Sequence, residues 1–219
     1  MNKKALNKIG RVTFLSFVII SVLLIGNVLA VDWWPTFGHD YQNRGNTSLI
    51  INISEFGISW VHEPTNSIFS SPVIDNLRIY YGGSNMVEAI NITNGVRMWS
   101  ISTGTVQSAP TIEEGILYYA TNAGQVNARN ATNGDVIWQE EMTTGIKSGI
   151  TIVENKIYFT DTTTGLFALN KTDGTYLWNY TFEKFNATQN TFTTTPAYNG
   201  EMLYVGGNNT VYSINSTDG

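Results

Sequence analysis

The sequence contains no cysteine. Disulfide bonds, which an exported protein could use, are therefore excluded, and so is a lipid anchor on an N-terminal cysteine. Stability must come from a packed core instead. Beyond residue 30 the chain still has 189 residues (219 − 30), which is long enough to bury such a core.

Positive charge is also scarce. The chain has 12 Lys and Arg residues, and four of them lie in the first 30 residues: Lys3, Lys4, Lys8 and Arg11. The other 8 bases face 17 acids, so the net charge beyond residue 30 is about −9 (8 − 17). A phosphate-binding surface needs clustered bases, and this part of the chain has none. The composition therefore argues against nucleic acid as a partner.

Motifs of common catalytic sites are missing as well. The sequence has no glycine-rich phosphate loop, no histidine-rich metal site and no Ser/His/Asp arrangement. Its two histidines, His39 and His62, are better explained as solvated or hydrogen-bonded side chains than as metal ligands, and the same holds for Asp40. No motif in the chain indicates an enzyme.

Residues 1–30 are typical of a signal peptide. A basic start without acids precedes a largely apolar run over residues 12–28, and Val28-Leu29-Ala30 supplies small residues for a cut before Val31. The alternative is an uncleaved signal anchor, because the apolar run approaches the roughly 18 residues that span a bilayer. Both alternatives predict an extracytoplasmic protein, either secreted or anchored by its N-terminus.

A repeated unit follows a lead-in segment over residues 31–56, in which Trp33, Trp34 and Phe37 are typical of an aromatic plug. Four tryptophans mark the repeat at spacings of 39, 39 and 40 residues: Trp60, Trp99, Trp138 and Trp178. Between them recur a Ser/Thr-rich start, an aromatic strand, and two further strands joined by a turn. Residues 57–219 therefore form repeat units near residues 70–107, 108–147, 148–193 and 194–219, the last of them incomplete.

The repeat predicts an all-β fold, a β-propeller of four-stranded antiparallel blades with about four blades present. The strands are rich in β-branched and aromatic residues, and no helical periodicity is sustained beyond residue 30. One four-stranded sheet cannot bury both of its faces, so sheets must pack on sheets. The tryptophan that closes each unit is expected to fill the space between neighbouring blades rather than to bind a ligand.

Each unit also carries an Asn-Gly or Asp-Gly pair a few residues before its tryptophan position. These pairs favour two-residue type I′ turns, in which both residues have positive φ. The sequence therefore predicts a tight hairpin at the same place in every unit, at Asn94-Gly95, Asn133-Gly134, Asp173-Gly174 and Asp218-Gly219.

The pattern P-x-x…hyYh…A-hxN-xTnG-xxxW resembles the PQQ-type β-propeller repeat, and the opening WWPTFGHDYQNRGNTS is similar to the lead-in of exported, BamB-like members. The resemblance covers residues 33–219 and implies the propeller fold, because a WD signature is missing and kelch repeats are longer. It does not specify a function, since the same blades serve quinoprotein dehydrogenases, assembly scaffolds, receptor ectodomains and surface proteins.

Three functions remain open at this point. The first is a non-catalytic binding or scaffold module with a protein or glycan partner at the cell surface. The second is a quinoprotein dehydrogenase, which by resemblance would need PQQ in the propeller channel, a bound calcium and adjacent cysteines. Because the chain has no cysteine and no cluster of Glu, Asn and Asp apart from its repeats, no cofactor is evident. The third is a sensor ectodomain, for which residues 12–28 would be the membrane contact.

Two departures from the family pattern matter. Family propellers have seven or eight blades, whereas this chain has three full units, a leading strand at Trp60 and part of a fourth unit, and Gly219 falls inside a hairpin. The sequence favours a chain that continues past Gly219 over one in which the Trp60 strand closes a small ring. In addition, asparagine stands where family repeats carry aspartate before the turn.

Those asparagines create Asn-x-Thr sequons. They belong to a set of nine candidate N-glycosylation sites: Asn46, Asn52, Asn91, Asn130, Asn170, Asn179, Asn186, Asn208 and Asn215. The alternative is that asparagine only caps each turn, as aspartate would.

An insertion and a single acid complete the sequence features. Between Trp178 and Pro196 lie 17 residues, against 10 or 11 in the other units, and the extra segment is either a binding loop or a tolerated surface insertion. Asp161 is the only acid at its repeat position, and turn chemistry explains it without a ligand.

Overall fold

A computed structural model describes residues 57–163, 165–182, 193–207 and 210–218. Several sequence predictions lie outside these ranges: the signal or anchor segment, the lead-in segment, most of the inserted segment, Gly219, and the sequons at Asn46, Asn52, Asn186 and Asn208. Among the described residues, no helix is long and apolar enough to cross a bilayer.

All regular elements in the described ranges are β-strands, which confirms the all-β prediction. They form four sheets in chain order: β1 (Val73–Ile74), β2 (Arg78–Gly83), β3 (Met86–Asn91) and β4 (Arg97–Ser102); β5 (Thr111–Glu113), β6 (Ile116–Ala120), β7 (Gln125–Asn130) and β8 (Val136–Glu141); β9 (Thr151–Val153), β10 (Lys156–Thr160), β11 (Gly165–Asn170) and β12 (Tyr176–Thr181); β13 (Ala197–Tyr198), β14 (Met202–Gly207) and β15 (Thr210–Asn215).

Every sheet is an antiparallel meander in which each strand pairs with the next one along the chain. In the first sheet, for example, Ala89 on β3 pairs with Tyr80 on β2 and with Trp99 on β4. The first three sheets have four strands, and the described residues of the fourth sheet provide three.

The sheets pack face to face in chain order, and the hydrophobic core lies between them. Val73, Val87 and Leu117 belong to the cluster between the first and second sheets, and two further clusters fill the next two spaces. The short first strands of successive sheets lie side by side, since β1 contacts β5 and β9 contacts β13. The sheets are therefore arranged radially, as blades of a β-propeller with the shortest strands innermost.

The prediction of a leading strand at Trp60 is wrong. Residues 57–67 form no ladder with a neighbouring strand, and Ile68 makes only an isolated bridge with Gly83. The segment contacts the first sheet through Trp60, whose indole N–H donates to the carbonyl oxygen of Ile92 (3.1 Å), and through the carbonyl oxygen of Ser67, which accepts the amide of Ser84 (2.9 Å). Pro64, which has no N–H to donate, further disfavours strand pairing here.

The prediction of type I′ turns is also wrong for the first three Asn-Gly and Asp-Gly pairs, and Gly219 of the fourth pair lies outside the described residues. Five residues, 92–96, join β3 to β4, and the amide of Gly95 donates to the carbonyl oxygen of Asn91 (2.9 Å). The next two sheets repeat this geometry. Only the glycines have positive φ: 69° at Gly95, 80° at Gly134 and 76° at Gly174. The side-chain oxygen of the asparagine before each loop accepts the amide two residues on, and this local bond favours the longer, helix-like turn.

Candidate functional site

The tryptophan of one sheet packs on the turn glycine of the next sheet. A Cβ atom added to Gly134 would lie 3.2 Å from Cε3 of Trp99, and one added to Gly174 would lie 2.6 Å from Cε3 of Trp138. The same indole rings donate their N–H to the neighbouring sheet, Trp99 to the carbonyl oxygen of Ala131 (3.0 Å) and Trp138 to that of Lys171 (2.9 Å). Trp60 makes the equivalent contacts with Gly95 and Ile92. Trp99 and Trp138 therefore join consecutive sheets, and Trp60 joins the segment before β1 to the first sheet.

Trp178 differs from the other three tryptophans. Within the described ranges, its indole nitrogen has no hydrogen-bond partner, and Gly219, at the matching turn position, lies outside them. Its ring nevertheless packs beside Tyr158, with ring centroids 5.8 Å apart.

On the second strand of each of the first three sheets, a tyrosine ring packs beside the tryptophan of the same sheet. Ring centroids are 5.9 Å apart for Tyr80 and Trp99, and 6.1 Å apart for Tyr118 and Trp138. The hydroxyl of Tyr158 donates to the carbonyl oxygen of Ser216 in the next sheet (2.7 Å). Burial, aided by nearby Tyr198 and Glu154, raises the pKa of Tyr158 to about 12, so its phenol is neutral at physiological pH and acts as a donor.

A buried carboxylate, Glu88, is the centre of the main cluster of ionisable groups. Its side chain is 1% exposed and accepts the hydroxyl of Tyr81 (2.5 Å), while Nε2 of His62 lies 3.2 Å away and Nη1 of Arg97 lies 3.4 Å away. Burial acts to raise the pKa of Glu88, but these hydrogen bonds, one from Ser100 and the charge of Arg97 outweigh it and lower the pKa. The carboxylate is therefore ionised and holds residues 57–63 against the first sheet.

Two further polar groups are also accounted for by structural contacts. Lys171 pairs with Glu113 (2.6 Å) and Glu114 (3.5 Å) and so links the third sheet to the second. Asp161 accepts the amides of Gly165 (2.8 Å) and Thr163 (3.3 Å) and a hydroxyl from Thr144, as turn chemistry requires.

A pocket lies between the third and fourth sheets. It has a volume of about 310 Å³, and Tyr158 and Tyr198 line it together with Lys156, Glu154 and Glu201. The ammonium of Lys156 already donates to the carbonyl oxygens of Ser216 (3.2 Å) and Thr217 (3.3 Å). The lysine of this pocket is therefore already hydrogen-bonded, and its two glutamates are exposed. This arrangement does not point to a particular ligand or reaction.

The PQQ and calcium of the dehydrogenase alternative would require side chains that hold a metal ion. In the described part of the chain, no three His, Cys, Asp or Glu side chains come together in a way that could hold a metal ion. The full sequence also contains no cysteine for an adjacent pair.

The outer edge of the propeller carries a repeated apolar feature that the sequence analysis missed. The outer strands β4, β8 and β12 each contain a β-bulge, and the extra residue in each bulge is Met98, Ile137 or Leu177. Their exposed fractions are 44%, 46% and 41%. We call these three residues the outer row. The signal was present in the sequence, because an apolar residue directly precedes each of these tryptophans.

The sequons that are described fall in two places. Asn91, Asn130, Asn170 and Asn215 lie at the ends of β3, β7, β11 and β15, at one end of the propeller. Asn179 lies instead on the outer strand β12.

The sequence pattern of the family described as outer membrane protein assembly factor BamB matches residues 54–140 and 122–219. The chain belongs to this family. The match confirms the sequence resemblance to PQQ-type, BamB-like propellers, and it spans all four sheets.

Proteins similar to this chain include BamB and alcohol dehydrogenases. A quinohemoprotein alcohol dehydrogenase from Comamonas testosteroni is 26% identical over 137 residues, 54% of this chain and 19% of the dehydrogenase. BamB from Moraxella catarrhalis has a similar structure, with a TM-score of 0.63 and 16% identity over 73% of this chain and 50% of that one. A quinohemoprotein alcohol dehydrogenase from Pseudomonas putida HK5 gives a TM-score of 0.69 and 15% identity over 80% of this chain and 34% of its own. The chain thus spans half or less of these relatives.

Proposed function

We propose that the chain is an extracytoplasmic, non-catalytic β-propeller that acts as a binding or scaffold module for a protein partner. The observation that carries this proposal is the outer row, which presents one half-exposed apolar side chain at an equivalent place in each of the first three sheets. The BamB family membership and the signal-like residues 1–30 support an extracytoplasmic scaffold.

The outer row suits side-chain contacts better than strand addition. A bulge disrupts the hydrogen-bonding ladder at a sheet edge and so disfavours pairing with another strand. Exposed apolar side chains that recur on a surface mark interaction sites when they lie close together. Val136 and Tyr176, exposed by 56% and 57%, extend this apolar surface beside Ile137 and Leu177.

Because the chain has no cysteine, a single introduced thiol reports on one place only. Ile137→Cys would carry a maleimide photo-crosslinker in cells that produce the chain, and Ala123→Cys, exposed in the β6–β7 turn, would serve as the control. We expect one protein adduct of defined mass from Ile137→Cys, lost when Met98 and Leu177 are changed to Ser. An equal adduct from Ala123→Cys, or none from Ile137→Cys, would contradict the proposal.

The dehydrogenase alternative has its own test. We expect that the purified full chain, incubated with PQQ and calcium, shows no alcohol-dependent dye reduction, because the described residues lack a matching metal site. Substrate-dependent turnover above that of a boiled sample would favour the enzyme instead.

A further inference from the structure

We propose that the end of the propeller formed by the β3–β4, β7–β8 and β11–β12 turns and by residues 215–218 is an N-glycan-bearing surface. Its acceptors are the side-chain amides of Asn91, Asn130, Asn170 and Asn215. All four asparagines end the third strand of their sheet and start a sequon, so four acceptors lie at equivalent places around one end.

The asparagine oxygen is used for the turn, whereas the nitrogen is not. In each copy Oδ1 accepts the amide of the threonine two residues on, at 2.8 Å for Thr93, Thr132 and Thr172 and at 2.7 Å for Thr217. Within the described ranges, Nδ2 of these asparagines donates no hydrogen bond. Glycans attach to this nitrogen, so an attached sugar leaves the turn bond intact.

In most copies the threonine hydroxyl also makes no hydrogen bond among the described residues. The turn uses the threonine amide, which any residue except proline supplies. Among the described residues, the hydroxyl of Thr172 alone of the four is engaged, and it donates to Oδ1 of Asn155 (2.9 Å). Aspartate with any following residues would cap these turns equally well. The two groups that a sequon requires therefore recur in all four sheets, and in three of them no described hydrogen bond depends on either group.

Asn179 provides the contrast. It also starts a sequon and is exposed, but its Oδ1 accepts the hydroxyl of Tyr176 (2.5 Å) and its Nδ2 donates to Oγ1 of Thr181 (3.2 Å). Both groups that the sequon requires are engaged on the outer strand. We therefore expect the turn asparagines to be modified in preference to Asn179.

The modification is a glycosyl transfer from a lipid-linked sugar diphosphate, catalysed by a transferase outside the cytoplasm. Nδ2 forms a bond to the anomeric carbon and loses a proton. The bond between that carbon and the phosphate oxygen breaks, and the lipid diphosphate leaves with the electron pair. Glycans at these four places would cover one end of the propeller and leave the opposite end and the outer strands for protein contacts.

The test uses the full chain produced in a eukaryotic secretory host and purified after export. Enzymatic release of N-glycans in ¹⁸O-water converts each occupied asparagine to labelled aspartate, which peptide mass spectrometry locates. We expect label at Asn91, Asn130, Asn170 and Asn215 and none at Asn179. Exported protein with the four turn sites empty, or with Asn179 occupied in their place, would overturn the proposal.

Matched variants separate modification from capping. Asn130→Asp keeps the Oδ1 acceptor, and Thr132→Ala keeps the amide donor, so each should lose one glycan while the urea midpoint of the deglycosylated protein stays unchanged. Thr132→Ser keeps the sequon and should keep the glycan. Retention of that glycan in Asn130→Asp, or its loss in Thr132→Ser, would show that Asn130 is not the acceptor.

Discussion

The indole ring of Trp138 packs directly on the backbone of Gly174, which lies in the β11–β12 turn of the next sheet. Gly174 has φ of 76°, and an added Cβ atom would lie 2.6 Å from Cε3 of Trp138. Two requirements thus coincide at one residue, a left-handed backbone and a close approach by an aromatic ring. Both favour glycine, and together they fix how one sheet sits on its neighbour.

Gly174→Ala is therefore expected to destabilise the protein more than backbone strain alone would. Gly115 is the matched control, because its φ is 77° and no atom lies within 4 Å of an added Cβ. We expect about 1–2 kcal/mol for Gly115→Ala from the left-handed backbone. Gly174→Ala should cost about 1–3 kcal/mol more from the steric contact with Trp138. Urea unfolding of both variants measures the difference. Equal losses of unfolding free energy would show that the contact between Trp138 and Gly174 does not add to the cost.

Neighbouring residues on β8 should respond in opposite ways to truncation. Trp138 is 8% exposed and Ile137 is 46% exposed. Trp138→Ala should cost about 3–5 kcal/mol, as removal of a buried aromatic side chain does. Ile137→Ser should change the free energy of unfolding by about 0.5 kcal/mol or less, as exposed substitutions do. A large loss in Ile137→Ser would mean that the outer row is structural rather than available to a partner.

The sequence predicted the architecture because single residues at a fixed spacing mark each contact between sheets. Each contact between sheets has two partners, a tryptophan that recurs every 39 or 40 residues and a turn glycine that precedes the next tryptophan. Strand composition then determines the rest, since β10 and β11 of the third sheet have a sheet on either side and are rich in apolar residues.

The turn geometry and the polar contacts were not predictable in the same way. Asn-Gly favours a type I′ turn, but the bond from the Thr93 amide to Asn91 extends the loop to five residues, and tertiary packing of Trp60 on Gly95 selects that form. Positive φ at two successive residues occurs instead at Glu114-Gly115. The cluster around Glu88 was missed because its partner His62 lies 26 residues away, and pairwise spacing carries no signal over that distance.

The ion pair between the second and third sheets should contribute little. Lys171 and Glu113 have side chains exposed by 16% and 24%, and Glu114 is exposed by 77%. The partly exposed pair is screened by solvent, so Lys171→Met should cost about 1 kcal/mol or less. Unfolding in 1 M salt should narrow this difference. A loss that is several-fold larger and independent of salt would instead assign Lys171 a packing role.

The carboxylate of Glu88 should make the protein less stable in acid. Its pKa is lowered in the folded protein, so its contribution is fully present above the unfolded value near 4.5 and is lost as pH falls through the lower folded value. At pH 7, Glu88→Gln removes a charged acceptor from Tyr81, His62 and Arg97 and should cost about 1–3 kcal/mol. Urea unfolding from pH 7 down to pH 3 should show that the difference in unfolding free energy between the two proteins narrows with acid.

Glu140→Gln, exposed on β8, controls for the loss of one charge. A gap that stays constant over this range, or a Glu140→Gln variant that behaves like Glu88→Gln, would show that the ionised state of Glu88 is not what holds residues 57–63 on the first sheet.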